Sequence, residues 1–187
     1  MEQSDLDDAL ATAQAGDEWG ITCLFRAMHP QLVRYLRHHA PDAAEDLASE
    51  TWLAAAKGLA GFEGDARDFR AWMFTIARRR VADHYRSKSR RPRTVLLDET
   101  ADLPTTGIDA DAGDVALDAI STRAAIEALV CNLPAEQAEV VLLRVIAALS
   151  VDEVAKIIGR SPGAVRMLQH RALQHMRTRG RQRSVTL

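Results

Sequence analysis

The sequence has few of the residues that stabilise small secreted proteins or bind structural metals. It contains only 2 cysteines, and Cys23 and Cys131 lie far apart, outside any CxxC or Cys/His cluster. This spacing excludes a disulfide framework and predicts neither a zinc site nor another metal site. Only 10 glycines and 6 prolines occur in 187 residues, which excludes collagen-like and low-complexity chains.

Long apolar runs are also missing. No stretch approaches the roughly 18 apolar residues that a membrane-spanning helix needs. The first 20 residues are acidic and lack the basic and then apolar order of a signal peptide. We therefore expect a cytoplasmic protein that is not inserted in a membrane.

What is present favours an all-α protein. Apolar residues make up 47% of the chain, enough for a core, and they recur at helical rather than alternating spacing. In the first half, one predicted stripe comprises Leu24, Phe25, Met28, Leu32 and Leu36. Aromatic residues at such spacing, including Phe69, Trp72 and Tyr85, are expected mainly in the core.

The chain divides at a segment without helical periodicity. Residues 96–117 combine acidic residues, Gly, Pro and Thr, and connections this long are uncommon inside one compact domain. We predict two small helical domains, a helical bundle at 1–95 and a second domain at 118–187, joined by a flexible acidic linker at 96–117.

Charge is segregated along the chain, although the formal net charge is only −2. Residues 67–93 contain ten Lys or Arg against two Asp, residues 98–118 contain seven acids and no Lys or Arg, and residues 160–187 contain seven Arg and no acid. Two basic segments that flank an acidic one indicate binding to a polyanion, since the local field steers association more than the net charge does. Solvated helix faces are the alternative.

The segment 149–177 predicts a helix-turn-helix. Ser150 and Glu153 form a capping-box pattern, Gly159 suits the left-handed position that ends a helix, and Ser161 followed by Pro162 starts the next helix. At 100° per residue, Val165, Leu168, Ala172 and Met176 share one arc of this second helix. The opposite side carries Arg166, Met167, His170, Arg171, Gln174 and Arg177, which suits a DNA major groove. An ordinary surface helix is the alternative.

Three segments in order carry a resemblance to a known family. They are EDLASETWLAAAKGL, FEGDARDFRAWMFTIARRRVADHYR and LPAEQAEVVLLRVIAALSVDEVAKIIGRSPGAVRMLQHRALQHMR. Together they resemble the extracytoplasmic-function (ECF, group IV) sigma factors, promoter-specificity subunits of bacterial RNA polymerase. The resemblance covers nearly the whole chain, and it implies a protein that recognises −35 and −10 promoter elements and assists promoter melting without being an enzyme.

The resemblance also implies partners and sites. The first segment would bind the clamp helices of the largest polymerase subunit through Asp46, Leu47, Glu50 and Leu53. The second would bind the −10 element through Phe62, Arg67, Arg78, Arg79, Asp83 and Arg86, with a flipped-base pocket at Phe62 and the loop 63–68. The third would bind the −35 element through Ser161, Arg166, Met167, His170 and Arg171. The flap of the second-largest subunit and an anti-sigma factor are further expected partners, and no cofactor is expected.

Two other function classes remain as alternatives. An all-helical enzyme lacks support, because the sequence contains no HExxH, GxSxG, Walker or Rossmann motif in a strand-helix context. A free-standing regulator that binds duplex DNA without polymerase would account for the helix-turn-helix. It would not account for an acidic helix followed by a basic helix in the first half.

Overall fold

The computed structural model describes residues 3–90 and 130–184, with side chains for residues 3–89 and 130–177. Within those ranges every regular element is helical and no strand occurs, which confirms the all-α prediction. The predicted linker at 96–117 lies outside the described residues, as do both predicted domain boundaries. No helix in the described ranges is long and apolar enough to cross a bilayer.

Four α-helices form the N-terminal half. They are α1 (Gln3–Gln14), α2 (Glu18–His39), α3 (Ala44–Leu59) and α4 (Ala66–Arg90), and a short 3-10 turn, Pro41–Ala43, precedes α3. The C-terminal half contains α5 (Ala135–Val141), α6 (Val151–Ile158) and α7 (Pro162–Ser184). A π-helical turn, Leu142–Ile146, extends α5.

The core of the N-terminal half forms around α2. Its stripe of Leu24, Met28, Leu32 and Leu36 is buried as the periodicity predicts, because positions three and four apart share a helix face. Phe25 is the exception: its side chain is 41% exposed. At 100° per residue Phe25 falls between Leu32 and Leu36 on the same arc, so helical phase alone does not account for its exposure.

Helix α1 packs tightly across α2, which the sequence did not single out. Leu6, Ala9, Leu10 and Ala13 are buried along it. A Cβ built on Gly20 of α2 would lie 2.5 Å from the backbone nitrogen of Ala13. Only glycine allows the two backbones to approach this closely, so α1 is held in a fixed position on the bundle.

The helix-turn-helix forms as predicted. The Ser150 Oγ accepts a hydrogen bond from the Glu153 backbone N–H at 3.2 Å, and the Glu153 carboxylate accepts one from the Ser150 N–H. Gly159 has φ of +67° and ends α6. Val154, Ala155, Val165 and Ala172 are buried between and beneath the two helices. These local signals define both ends of α6, and the Ser161 hydroxyl caps the start of α7.

The two halves contact each other in this structure. Their buried apolar side chains belong to one continuous cluster. The contact is made by α2 and α4 on one side and by the α5–α6 region on the other. The interface includes a group of polar side chains around Glu139, described below.

Candidate nucleic-acid interface

The outer face of α7 presents the predicted −35 side chains together. Arg166, Met167, His170 and Arg171 are all exposed, and Met167 is 53% exposed. At 100° per residue they span an arc of about 140°. The opposite arc packs inward, with Val165 and Ala172 fully buried. In a major groove, the arginine guanidinium groups can bind guanine edges and phosphates, and the exposed Met167 thioether can contact thymine methyl groups.

Ser161 differs from the other predicted −35 residues because it has a structural role. Its hydroxyl accepts a hydrogen bond from the Ala164 backbone N–H at 3.2 Å and so caps α7. Arg144 connects α7 to the preceding segment. Its guanidinium donates hydrogen bonds to the Gln169 amide oxygen of α7 at 3.4 Å and to the Leu149 carbonyl. The exposed face of α7 is therefore held by a cap at its start and by an anchor along its length.

The five predicted −10 residues on α4 lie on two different faces of the helix. Arg79, Asp83 and Arg86 lie within an arc of about 60° and are exposed. Arg86 pairs with Asp83 at 3.1 Å. Arg67 and Arg78 share a different face, about 100° from Arg79. The structure thus brings three of the predicted residues together and turns the other two elsewhere.

Arg78 faces the C-terminal half, where it meets a carboxylate. The Glu139 side chain of α5 is only 14% exposed, and the Arg78 Nε lies 3.4 Å from its Oε1. The Tyr35 hydroxyl donates to the same oxygen at 2.8 Å, and the His39 Nε2 lies 2.8 Å from Oε2. We call Tyr35, His39, Arg78 and Glu139 the Glu139 cluster. It joins α2 and α4 to α5.

The Glu139 cluster stabilises a charged carboxylate. Burial alone would raise the pKa of Glu139, but contacts with His39, Tyr35 and Arg78 outweigh burial and hold the pKa below the ordinary value of 4.5. Burial, followed by the charge of Glu139, raises the pKa of Tyr35 well above its ordinary value, so the hydroxyl keeps its proton and donates. A separate charge interaction links α4 to α6. Burial lowers the pKa of Arg70 on α4, and the negative charge of the Glu153 carboxylate on α6 opposes that shift.

The lowered pKa of Glu139 predicts that the Glu139→Gln variant is less stable than the wild type. This change should lower the free energy of unfolding by about 2 kcal/mol at neutral pH, because hydrogen bonds to a charged group are worth roughly 1.5–3 kcal/mol. A carboxyl with a depressed pKa contributes its full stability above pH 4.5, and that contribution is lost as the pH falls through the lower folded-state pKa. Denaturant unfolding of both proteins between pH 7 and pH 3 should show the difference shrinking on the acid side.

A matched control lies one turn earlier on the same helix. The Glu136 side chain is 63% exposed and pairs with Arg160 of its own half. Glu136→Gln should change stability by less than about 1 kcal/mol, as exposed ion pairs do. If the two variants lose the same stability at pH 7, the Glu139 cluster does not have the strength inferred from its geometry.

The predicted flipped-base pocket, Phe62 and residues 63–68, comprises part of the loop between α3 and α4 and the first turn of α4, which begins at Ala66. Phe62 is half-buried there, with its ring 5.4 Å from the ring of Phe69 and 5.2 Å from that of Trp72. Phe69 is fully buried and Trp72 half-buried, so the structure confirms a mainly packing role for both. Tyr85, also expected in the core, is 50% exposed, and its hydroxyl donates to the His39 carbonyl. Arg67 follows the loop and is exposed.

The predicted docking face of α3 is formed by three of its four predicted residues. Asp46, Glu50 and Leu53 lie four and three residues apart on one exposed stripe, and Leu53 is 63% exposed. The Glu50 carboxylate lies 3.7 Å from the Arg80 Nη1. Leu47 is a correction: it is 4% exposed and belongs to the core, because it points about 100° away from Asp46. Its role is to fix the helix.

An aromatic surface formed by Phe25, His29 and Trp52 was missed by the sequence reasoning. The exposed Phe25 stacks on His29 with centroids 4.3 Å apart and lies 5.1 Å from the ring of Trp52, on α3 next to Leu53. The apolar stripe assigned Phe25 to the core, so no sequence signal pointed to it.

In the described residues, no group of three or more potential metal ligands comes together.

Comparison with known proteins agrees with this arrangement. Residues 24–91 match the Sigma-70 region 2 family model, and residues 123–176 match the Sigma-70 region 4 model. The chain is 35% identical over 175 residues to the ECF RNA polymerase sigma factor ShbA of Streptomyces griseus, covering 88% of this chain and 90% of ShbA. The chain belongs to the ECF sigma factors.

Other relatives of this sigma factor support the same family. ECF sigma factor SigD of Mycobacterium tuberculosis is 34% identical over 188 residues, with 95% of this chain and 84% of SigD covered. ECF sigma factor BldN of Streptomyces coelicolor is 37% identical over 164 residues, with 87% of this chain covered. The chain spans only 61% of the length of BldN.

Two solved structures share the fold of this sigma factor. One is CnrH in complex with the cytosolic domain of CnrY, with a TM-score of 0.61, 23% identity and coverage of 92% of this chain and 96% of CnrH. The other is RpoE of Bartonella quintana in complex with the anti-sigma factor NepR, with a TM-score of 0.60 and 22% identity. This comparison covers 84% of this chain and 94% of RpoE.

Proposed function

We propose that this sigma factor binds core RNA polymerase and directs it to promoters with two separated elements. The α3 face of Asp46, Glu50 and Leu53 binds the clamp helices of the largest subunit, and the C-terminal half binds the flap of the second-largest subunit. The observation that carries the proposal is the exposed arc of Arg166, Met167, His170 and Arg171 on a capped second helix, in a chain of the sigma family. This arc reads the −35 element.

The N-terminal half binds the −10 element in this proposal. Arg79, Asp83 and Arg86 follow the DNA strand along α4, while Phe62 and its loop accept an unstacked base. Aromatic rings supply stacking surfaces for single-stranded bases, and arginines bind the phosphates. The protein acts in the cytoplasm by positioning the polymerase and separating strands. It catalyses no covalent chemistry and needs no cofactor.

Promoter binding requires the two halves to separate. The −35 and −10 elements are about 25 base pairs apart, and at 3.4 Å per base pair this distance is about 85 Å. A compact chain of 187 residues has a radius of gyration of about 16 Å, and is thus roughly 40 Å across. The Glu139 cluster must therefore open, which also frees Arg78 for the −10 strand.

An anti-sigma factor is a further proposed partner. Both fold relatives were solved with a bound protein, the cytosolic domain of CnrY for CnrH and the anti-sigma factor NepR for RpoE. By this likeness, an inhibitor of the same class binds this sigma factor and covers the surfaces that core polymerase and DNA require.

Reconstituted transcription tests the proposed function. Core polymerase with the purified full chain should start RNA at discrete sites on genomic DNA, including sites upstream of the genes that the protein controls, where core polymerase alone starts none. A holoenzyme that forms but never starts at defined positions would contradict promoter recognition. Duplex binding without any association with core polymerase would instead favour a free-standing regulator.

A further inference from the structure

The loop proposed to accept the flipped base is held at both ends by α1. The side-chain amide of Gln14 donates to the carbonyl of Leu59 at 3.2 Å and to the carbonyl of Phe62 at 2.7 Å. The carboxylate of Asp7 accepts a hydrogen bond from the backbone N–H of Ala66 at 2.8 Å. Leu59 is the last residue of α3 and Ala66 the first of α4, so these bonds fix both sides of the loop.

The chemistry of each contact matches the helix end that it meets. The last carbonyls of a helix lack intrahelical partners and carry partial negative charge, which an amide N–H satisfies. The first N–H groups of a helix carry partial positive charge, which a carboxylate satisfies. Gln14 and Asp7 therefore cannot exchange roles. They lie seven residues apart, about two helical turns, and so project from the same side of α1.

The other hydrogen bonds of the loop are short in range. Asp65 accepts hydrogen bonds from the N–H groups of Arg67 and Asp68 at 2.8 and 2.9 Å, which caps α4 locally. These bonds shape the start of the helix but do not connect the loop to the rest of the bundle. The Phe62 ring packs on Phe69 and Trp72 of α4, and α1 supplies the long-range hydrogen bonds. The position of α1 is itself fixed by the close contact at Gly20.

We propose that Gln14 and Asp7 are positioning residues for −10 recognition, and that α1 is a brace that holds the loop 60–65 in the geometry that accepts an unstacked base. The proposal rests on the assignment of this loop to the −10 element. A loop held in place before DNA arrives loses less conformational entropy on binding. The brace thus acts on strand opening and leaves the −35 contact and polymerase docking unchanged.

The sharpest test is Gln14→Glu in holoenzyme. The new side chain keeps the shape of glutamine but replaces an amide donor with a carboxylate that faces two carbonyl oxygens. We expect the rate of promoter opening, followed by a fluorescent base in the −10 element, to fall about tenfold, equivalent to about 1.4 kcal/mol. Affinity for core polymerase and for −35 duplex should stay within about twofold, or roughly 0.4 kcal/mol.

Two further measurements separate positioning from general damage. On a template whose −10 region is already unpaired, the Gln14→Glu defect should persist as weaker binding of the unpaired strand, because the loop must still accept the unstacked base, while affinity for core polymerase stays normal, which a misfolded domain would not show. Ala11→Glu adds the same charge to an exposed position of α1 and should open promoters like the wild type. Asp7→Ala should reproduce the opening defect from the other end of the loop.

The outcomes distinguish the brace from the proposed function. If wild-type holoenzyme opens promoters and Gln14→Glu opens them equally fast, the brace is wrong and the function stands. Wild-type affinity for the unpaired −10 strand, or an equal defect in Ala11→Glu, would also overturn the brace. If the wild type itself opens no promoter, the −10 assignment fails before the brace is reached.

Discussion

Asp46→Arg is expected to weaken binding of core RNA polymerase about 100-fold, equivalent to about 2.8 kcal/mol. Asp46 is exposed on α3 and has no ion-pair partner in residues 3–89 and 130–177, whereas its neighbour Glu45 lies 2.8 Å from Arg37. Its charge is therefore available to a basic partner surface. Reversal replaces attraction with repulsion, and disrupted charge pairs at interfaces cost roughly 2–5 kcal/mol. Titration of labelled full-length protein with core polymerase measures the effect.

The controls for Asp46 separate charge from folding. Asp46→Asn removes the charge without reversing it and should cost about tenfold, or about 1.4 kcal/mol. Asp8→Arg makes the same charge change at an exposed site on α1 and should bind core polymerase normally. Because Asp46 lies in the first turn of α3, its loss also removes a favourable helix-dipole contact, so thermal unfolding is measured alongside. Equal losses at Asp8 and Asp46 would mean that α3 is not the docking face.

The parts of the fold that the sequence predicted are those with local signals. The caps of α6 and α7 depend on Ser150, Glu153, Gly159 and Ser161, each of which acts within about four residues of itself. The same holds for the exposed face of α7, because a regular helix converts spacing directly into direction. Short-range rules therefore recovered the geometry proposed to read the −35 element.

The features that were missed depend on long-range packing. Tyr35 and Glu139 are separated by 104 positions, and Gln14 and Phe62 by 48. No periodicity connects residues so distant, and a buried tyrosine or glutamine looks the same in sequence whether or not it has a partner. Leu47 and Phe25 were misplaced for other reasons. Family resemblance assigned Leu47 to the docking face, although its helical phase places it about 100° from Asp46. Phe25 shares the helical phase of the buried stripe, and its exposure depends on packing that the sequence does not reveal.

Local sequence signals and long-range contacts have different consequences for the proposed function. Local signals define the two proposed binding faces, and the long-range contacts differ between them. In this structure Arg166 and Arg171 are exposed while Arg78 is engaged by Glu139. In the proposed function, the −35 face is therefore exposed while the halves are in contact, and Arg78 is freed for the −10 element when they separate.

Arg171→Ala is expected to weaken binding of holoenzyme to −35 duplex by about 1–3 kcal/mol, or roughly 5- to 150-fold. Arg171 is exposed at one edge of the α7 arc, beside His170 in sequence and four residues from Met167. Alanine keeps the helix, because it has the highest helix propensity. The affinity for core polymerase should change by less than about twofold, or roughly 0.4 kcal/mol, since the α3 face is untouched. This is the reverse of the pattern expected for Asp46→Arg.

The kind of loss at Arg171 shows which group it contacts. If Arg171 reads a base, the preference for one base pair of the −35 element relaxes and the salt dependence is unchanged. If it binds a phosphate, affinity falls equally for all sequences and the salt slope drops by about 1. Lys156→Ala removes a charge from the exposed side of α6, which in a helix-turn-helix crosses the backbone, so any loss there should carry no sequence preference. Equal effects of Arg171→Ala on core binding and on DNA binding would contradict the division of labour between α3 and α7.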